Sequence, residues 1–437
     1  MLTQQQEDAL KIMGSGRNVF LTGYAGTGKS YLIKEFIKKL PQNKYALTGT
    51  TGISALNIGG KTIHSWAGIG LGEGDIINRV LEKKFFVFRW RRTRVLIIDE
   101  VSMLSPELFD KLEELARTVR NSNKPFGGMQ LVLVGDFCQL PVVKSTKFCF
   151  QSEKWDKCID EVVHLNEIIR QSDTEFCDIL RELRLGICSQ KTIDKLKQRV
   201  IKDIPDKNDI KPTILFSTNK RVDNINNSEL NKLIDEGHEL IKYNCKATVV
   251  NSKLTKIQVK NMVKHSTKNM DEISVCIGCQ VMITANINFN TGLVNGTRGI
   301  ITGFKMGLPE IKLLNGNTHI VDYHERKIID DKTHISIKYI PLKLAWATTI
   351  HKSQGSTLDY VVTNLNSNSI FEYGQAYVAL SRVRNLDGLF LEDVDNSSFI
   401  CHPLIVEYYS KYDKSIDQNL ISNMCENIKS LKLNQDN

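Results

Sequence analysis

The chain has 437 residues and a formal charge of +9, with 41% apolar and 24% charged side chains. That length holds two or three domains, each with its own core, and the balance is that of an ordinary soluble globular protein. No apolar run reaches about eighteen residues, which excludes a membrane-spanning helix.

The N-terminal "MLTQQQEDALKIMG" has neither a basic-then-apolar signal nor an Arg/Ser-rich transit pattern. It reads as the first helix of a folded core. An intracellular protein is expected, in the cytoplasm of a microbe or virus-infected cell or in a nucleus. The ten cysteines form no framework. Cys276 and Cys279 make the one CxxC, and no second pair stands at zinc-site spacing, so reduced thiols and no structural metal are expected.

In chain order, "NVFLTG" reads as a strand that feeds "GYAGTGKS", and a helix is predicted over 29–40. "KYALTGT", "RVLIIDE" and "MQLVLVGD" are further short apolar runs ending in polar residues. This is the pattern of a parallel sheet buried on both faces, with its chemistry at the carboxyl ends of the strands. Between the last two, Ser105 can cap a helix that has Pro106 at its first position. Leu108, Leu112, Leu115 and Val119 follow at helical spacing, and Glu113 can pair with Arg117. A second alternating block starts at "PTILFSTNKRVDNIN", pauses near 245 and resumes at "YIPLKLAWATTIHKSQG". The interval is rich in Val, Ile, Thr and Gly, and Asn295-Gly296 signals a hairpin. Two basic stretches, "RWRRTR" at 89–94 and "KLTKIQVKNMVKHSTK" at 253–268, suit either a solvated face or a groove that tracks phosphates.

The stretch Gly23, Tyr24, Ala25, Gly26, Thr27, Gly28, Lys29, Ser30 fits the phosphate-loop pattern between a strand and a helix. Its glycines let backbone N–H groups close around phosphates, Lys29 would bridge the β- and γ-phosphates, and Ser30 would bind Mg²⁺. Asp99 ends an apolar strand, where a Mg²⁺-organising carboxylate belongs, and Glu100 can polarise a water for in-line attack. Two adjacent carboxylates suit hydrolysis better than phosphoryl transfer. Gln139, in "LVGDFCQLP", follows another strand end and could sense the γ-phosphate.

The order of "GYAGTGKS", "IIDEVSML", "GDFCQLP", "IHKSQGSTLD" and "QAYVALSRVR" resembles a superfamily 1 DNA helicase. Within that superfamily it is similar to the Pif-type (petite integration frequency) helicases, also through "DKLEELARTVR" and "GLVNGTRGIITGF". The likeness runs from Leu2 to about Asp393, although "QLPVVK" lacks the family's second proline. It implies an α/β fold of two RecA-like P-loop domains, 1–165 and 166–245 with 335–437. A small all-β, SH3-like insertion would span 246–334.

By resemblance, Gln6 would recognise adenine, Arg170 and Arg382 would be arginine fingers, and Gln354 and Gly355 would lie at the nucleotide edge. Thr51, His64, Asn295, Gly296, His351, Lys352 and Ser353 would contact single-stranded DNA. A small wedge is expected within 66–90, where Trp66, Phe85, Phe86 and Trp90 lie, though such aromatics are more often core. The resemblance further implies an ATP- and Mg²⁺-dependent 5′-to-3′ DNA helicase, monomeric and without a membrane partner. Its substrates would be single strands, forks, RNA–DNA hybrids and G-quadruplexes, in replication, repair, recombination and telomere maintenance. A DNA-stimulated ATPase that does not unwind and an RNA-directed helicase share much of the same pattern.

Overall fold

The computed structural model describes residues 2–413 and 416, except 143, 144, 146, 172, 202–209, 253–256, 258–271, 286, 289, 290, 331 and 332. The basic stretch at 253–268 therefore lies, but for Ile257, outside the described residues. The chain forms two compact units. One comprises Met1–Gln198, Leu365–Leu386 and Asp393–Asn437, the other Arg199–Asn364 and Asp387–Glu392. Among the described residues no helix is long and apolar enough to cross a membrane.

The first unit is built on a six-stranded sheet of order β3-β2-β4-β5-β1-β6. Its strands are β1 (Val19–Gly23), β2 (Tyr45–Gly49), β3 (Lys61–Thr62), β4 (Val95–Asp99), β5 (Gln130–Val134) and β6 (Glu161–Leu165). All five pairings are parallel. β1 and β4 are buried along their whole length, as a sheet covered on both faces requires. Side chains alternate between the faces. Val19, Leu21, Ile97, Val132 and Val134 pack with Leu10, Met13, Leu32, Ile33 and Phe36 of the helices Gln4–Gly14 and Lys29–Lys38. Phe20, Leu96, Ile98, Leu131 and Leu133 pack on the other face with Phe109, Leu112, Leu115 and Val119 of the helix Pro106–Arg120. That helix starts as its sequence dictates: Ser105 Oγ accepts from Leu108 N at 3.2 Å and Pro106 occupies the first turn. Arg117 Nε reaches both Glu113 oxygens, at 2.9 and 3.0 Å. The helix after the phosphate loop ends at Lys38, two residues before the predicted end.

The second unit carries a four-stranded sheet of order β18-β7-β19-β20 and a β-rich block. β7 (Thr213–Phe216) pairs in parallel with both β18 (Ala347–Thr349) and β19 (Val361–Leu365), and β20 (Leu389–Val394) lies at the edge. The block runs through β8 (Ile241–Asn244), β9 (Lys246–Ser252), β10 (Glu272–Val275), β11 (Gln280–Ile283), β12 (Arg298–Lys305), β13 (Leu308–Leu313), β14 (Thr318–Ile320), β15 (His324–Asp330), β16 (Thr333–Tyr339) and β17 (Leu342–Leu344). Its largest sheet is antiparallel, of order β14-β13-β12-β11-β17. Cys276 and Cys279 are core residues there, beside Val281, Ile301 and Ile311.

The predicted hairpin at Asn295-Gly296 differs from the structure. The pair forms a turn, with Gly296 at φ +96° and Thr297 N bonded to Val294 O at 3.0 Å. However, the antiparallel strands on either side of it, β11 and β12, are separated by the whole of 284–297. The tight hairpin is Met306-Gly307 between β12 and β13, where φ is +52° and +74°. Two positive φ values define the turn that best follows strand twist. Met at its first position hid it, because that conformation is usually marked by Asn, Asp or Gly.

Candidate nucleotide and nucleic-acid sites

The phosphate loop bends from β1 into the helix Lys29–Lys38 through Gly26 and Gly28, at φ +86° and +81°. Both positions are also crowded. A Cβ on Gly26 would fall 2.6 Å from Gln171 Oε1, and one on Gly28 2.6 Å from Gln6 Nε2. Gln6 is buried beside the loop, donating to Thr27 O at 3.1 Å and accepting from Thr3 N at 3.2 Å. Its amide keeps a second proton and a second lone pair for an adenine edge. Lys29 Nζ donates to Gly23 O at 2.8 Å and Tyr24 O at 2.9 Å, acceptors that phosphate oxygens would replace. Burial lowers its pKa, while the charges of Asp136, Glu100 and Asp99 oppose the shift. Ser30 is exposed in the first helical turn.

Asp99 ends β4, buried, and accepts from Glu100 N at 2.9 Å. Burial raises its carboxyl pKa and the charge of Glu100 adds to the rise. Glu100 itself sits at φ 57°, ψ 50°, a left-handed conformation that costs a non-glycine residue about 1–3 kcal/mol. Thr50 helps to hold it there, its hydroxyl donating to Glu100 O at 2.9 Å and its N–H to Asp99 O at 3.1 Å. The strain sits on the residue expected to orient the attacking water, and it fixes where that carboxylate leaves the backbone.

Gln139 is buried after β5, its N–H bonded to Asp136 O at 3.0 Å. Arg170 and Arg382 complete the set. The backbone N–H of Arg170 donates to Gly26 O at 3.0 Å, and its Nη1 donates to Ser381 O at 3.1 Å. Arg382 is 1% exposed, with Nε on Val378 O at 2.8 Å and Nη2 on Ser381 Oγ at 2.6 Å. Burial, and then the charge of Arg170, push its pKa down to about 9, while Glu100 opposes the shift. A buried and a half-buried guanidinium thus share Ser381, a pairing of like charges that suits a polyanion between them.

All of these side chains belong to the first unit, including Arg382 from near the far end of the chain. The sequence reading missed the groups that hold them. Tyr377 accepts from Ala25 N at 2.8 Å through its hydroxyl. Gln171 donates to Val383 O at 3.0 Å while its Oε1 stands over Gly26. Asp136 is clamped by Arg184. Gln171 adjoins Arg170, Asp136 lies inside "GDFCQLP" and Tyr377 inside "QAYVALSRVR", which are usable signals; Arg184 carries none.

The residues expected on DNA are divided. In the first unit, Thr51 exchanges hydrogen bonds with Ser54 at 3.1 Å and caps the helix Gly52–Asn57, while His64 is half-buried with its pKa lowered by burial. In the second unit, Lys352 is exposed and His351 half-buried, but Ser353 is buried with its hydroxyl on Ile350 O at 2.7 Å. Gln354 is buried and Gly355 exposed at φ +77°. The Asn295-Gly296 turn meets this segment, since a Cβ on Gly296 would touch Ser356 at 3.4 Å. Of the aromatics at 66–90, Trp66, Phe86 and Trp90 are core, with the two indoles 4.6 Å apart, whereas Phe88 is 61% exposed. The basic run at 89–94 is partly structural. Arg89 donates to Trp66 O and Arg91 to Val119 O, at 2.7 and 2.8 Å.

A phosphate loop, adjacent carboxylates and two converging arginines on a parallel sheet give the first unit the architecture of the P-loop proteins of RecA-like fold. Comparison with known proteins carries this further. The PIF1-like helicase family model matches residues 1–194, and that of the DNA helicase Pif1 2B domain matches 255–304. The ATP-dependent DNA helicase PIF1 of Xenopus laevis is 39% identical over 94% of this chain and 65% of its own length. The crystal structure of Pif1 helicase from Candida albicans superposes with a TM-score of 0.78 at 35% identity, covering 94% of this chain and all of that one. Pif1 from Bacteroides sp, in complex with ADP-AlF4, gives 0.79 at 26% identity, over 95% and 98%. The chain belongs to the PIF1-like helicase family. It spans slightly less than two thirds of the length of the curated Xenopus relative.

Proposed function

We propose that the chain is an ATP-driven DNA helicase that moves 5′-to-3′ on single-stranded DNA and opens duplexes and forks. The observation that carries this reading is the convergence of Lys29, Asp99, Glu100, Gln139, Arg170 and Arg382 in one unit of a PIF1-like chain. RNA–DNA hybrids and G-quadruplexes are the further substrates, replication, repair, recombination and telomere maintenance the settings, and a monomer in the cytoplasm or nucleus the working form. The domain boundaries proposed for the motor are 1–165, 166–245 with 335–437, and an SH3-like insertion at 246–334.

The chemistry proposed for each residue follows from its position. Gln6 holds the adenine edge, and the amides of residues 23–30 surround the phosphates. Lys29 exchanges two carbonyl acceptors for the β- and γ-phosphate oxygens. Glu100 orients the attacking water and takes its proton, while Gln139 fixes the γ-phosphate. Arg170 and Arg382 neutralise the charge that grows on the transferred group. Mg²⁺ is the proposed cofactor. The Ser30 hydroxyl and Asp99 carboxylate are hard oxygen donors, and such an ion takes one or two protein oxygens beside substrate phosphates and water. Among the described residues no cluster of three or more His, Cys, Asp or Glu offers a richer cage. The ion would shield the phosphate charge. On the second unit, Gln354 and Gly355 are proposed at the nucleotide edge, and Asn295, Gly296, His351, Lys352 and Ser353 on the strand, with Thr51 and His64 from the first. Phe88 is the wedge candidate, because the other aromatics near it are packed inside.

Strand displacement from a labelled duplex with either a 5′ or a 3′ single-stranded tail tests this. Unwinding of the 5′-tailed duplex alone, lost in Lys29→Ala and Arg382→Ala, is the expected result. DNA-stimulated hydrolysis with neither duplex opened would overturn it.

A further inference from the structure

Residues 170–184 reach the nucleotide site twice, and the motifs account for the first contact only. At the start of this segment, Arg170 and Gln171 lie against Gly26. The helix Thr174–Arg184 then ends in Arg184, whose side chain is fully buried. Its Nε and Nη2 donate to Oδ2 and Oδ1 of Asp136 at 3.0 and 2.9 Å. Its guanidinium stands 4.7 Å from the ring centre of Tyr24 and 4.5 Å from that of Tyr409.

Each of these neighbours leads to a catalytic element. Asp136 Oδ1 also accepts from Cys138 N at 3.1 Å, and Asp136 O accepts from Gln139 N at 3.0 Å, so this residue shapes the loop that carries Gln139. Tyr24 is the second residue of the phosphate loop. The Tyr409 hydroxyl bonds Thr22 Oγ1 of β1 at 2.7 Å, accepts from Phe137 N at 3.0 Å and donates to Asp136 at 3.3 Å. One guanidinium therefore ties the shoulder of the phosphate loop to the loop of the γ-phosphate glutamine.

We propose that Arg184 is a positioning residue for ATP hydrolysis: through Asp136 and Tyr24 it sets Gln139 and the phosphate loop in register with each other. The inference rests on the nucleotide-site reading above. The competing account is a buried ion pair that serves folding alone. The two accounts separate because replacing both partners of such a pair by uncharged groups is often neutral for stability, whereas stranding one charge is not.

The experiment measures kcat and KM for ATP at saturating single-stranded DNA, with the unfolding temperature, in three proteins. These are the wild type, the double variant Asp136→Asn/Arg184→Met, and Arg184→Lys. The expected result is a folded double variant whose kcat falls about tenfold to a hundredfold while KM stays within about twofold, the mark of misplaced catalytic groups. Arg184→Lys, which keeps the charge but not the fork, should lie between. A folded double variant with wild-type kcat and KM overturns the proposal. Should the double variant not fold, Arg184→Lys decides in the same way, wild-type kcat overturning it. A wild type that hydrolyses no ATP would overturn the parent reading, and this one with it.

Discussion

The proposed nucleotide side and the candidate nucleic-acid side of this molecule are built differently. Around the phosphate loop, Gln139, Asp99, Asp136, Arg184 and Arg382 are all buried, and the side chains of Gln6, Thr50, Gln171, Tyr377 and Tyr409 bond main-chain atoms of Thr27, Glu100, Val383, Ala25 and Phe137 near them. The candidate strand contacts are Thr51 and His64 on short helices, an exposed Lys352 and a turn at Asn295-Gly296, spread over two units. Phosphoryl transfer is catalysed by placement, which needs groups locked by their neighbours. Gripping a backbone that must be released every cycle needs charge and hydrogen bonds at the surface. The nucleotide side should therefore respond to mutation by orders of magnitude and to pH, the strand side by modest factors and to salt.

The largest effect expected is that of Arg382→Ala. Steady-state hydrolysis with saturating DNA should lose about 10³-fold or more in kcat, with nucleotide affinity changed far less. A loss confined to KM would mean that Arg382 only binds.

Next in size is the pH response of His164, on β6 with Tyr24 and Tyr409 at 5.7 and 5.9 Å. Burial first, and then the charge of Arg184, push its pKa down to about 4. The unfolded imidazole titrates at about 6.5, so between these values the unfolded chain binds the extra proton and stability falls as pH falls. From pH 7 to pH 5 this contributes a loss on the order of 2 kcal/mol. Denaturant midpoints of wild type and His164→Gln across that range check it, and parallel slopes would refute the assignment.

Lys352→Ala should be milder. Hydrolysis without DNA stays as it is, while single-strand affinity drops and the slope of log K against log salt shrinks by about 0.7, one phosphate's share. An unchanged salt slope would place Lys352 off the strand. The smallest effect expected is that of Phe88→Ala. Being exposed, it should leave the unfolding temperature and hydrolysis alone and lower only the duplex opened per ATP. Equal unwinding would remove it as the wedge.

Much of the fold was legible because its signals are local. Short apolar runs with polar ends gave the parallel sheet, and Ser105, Pro106 and the Glu113–Arg117 pair marked the long helix. The positions of the candidate phosphate-site residues were legible for a related reason: Lys29, Ser30 and Asp99 were expected at fixed offsets from strand ends, and they stand just after β1 and at the end of β4. What escaped depends on contacts far apart in sequence. Tyr377 meets Ala25 across 352 positions and Arg184 meets Asp136 across 48. The motifs mark Ala25, Tyr377 and Asp136 one by one, but no local pattern says which of them meet, and Arg184 lies in none of the motifs. The Met306-Gly307 hairpin escaped because a non-glycine residue occupies a left-handed position there. Trp66 and Trp90 took the commoner role of such aromatics, core rather than wedge, with their indoles 4.6 Å apart.

The most direct test of the whole account is ATP hydrolysis measured while single-stranded DNA is titrated into the wild-type protein with Mg²⁺. The account predicts slow basal turnover that rises saturably with DNA and is abolished, with and without DNA, by Glu100→Gln. Turnover that ignores DNA, or that survives Glu100→Gln, would contradict it.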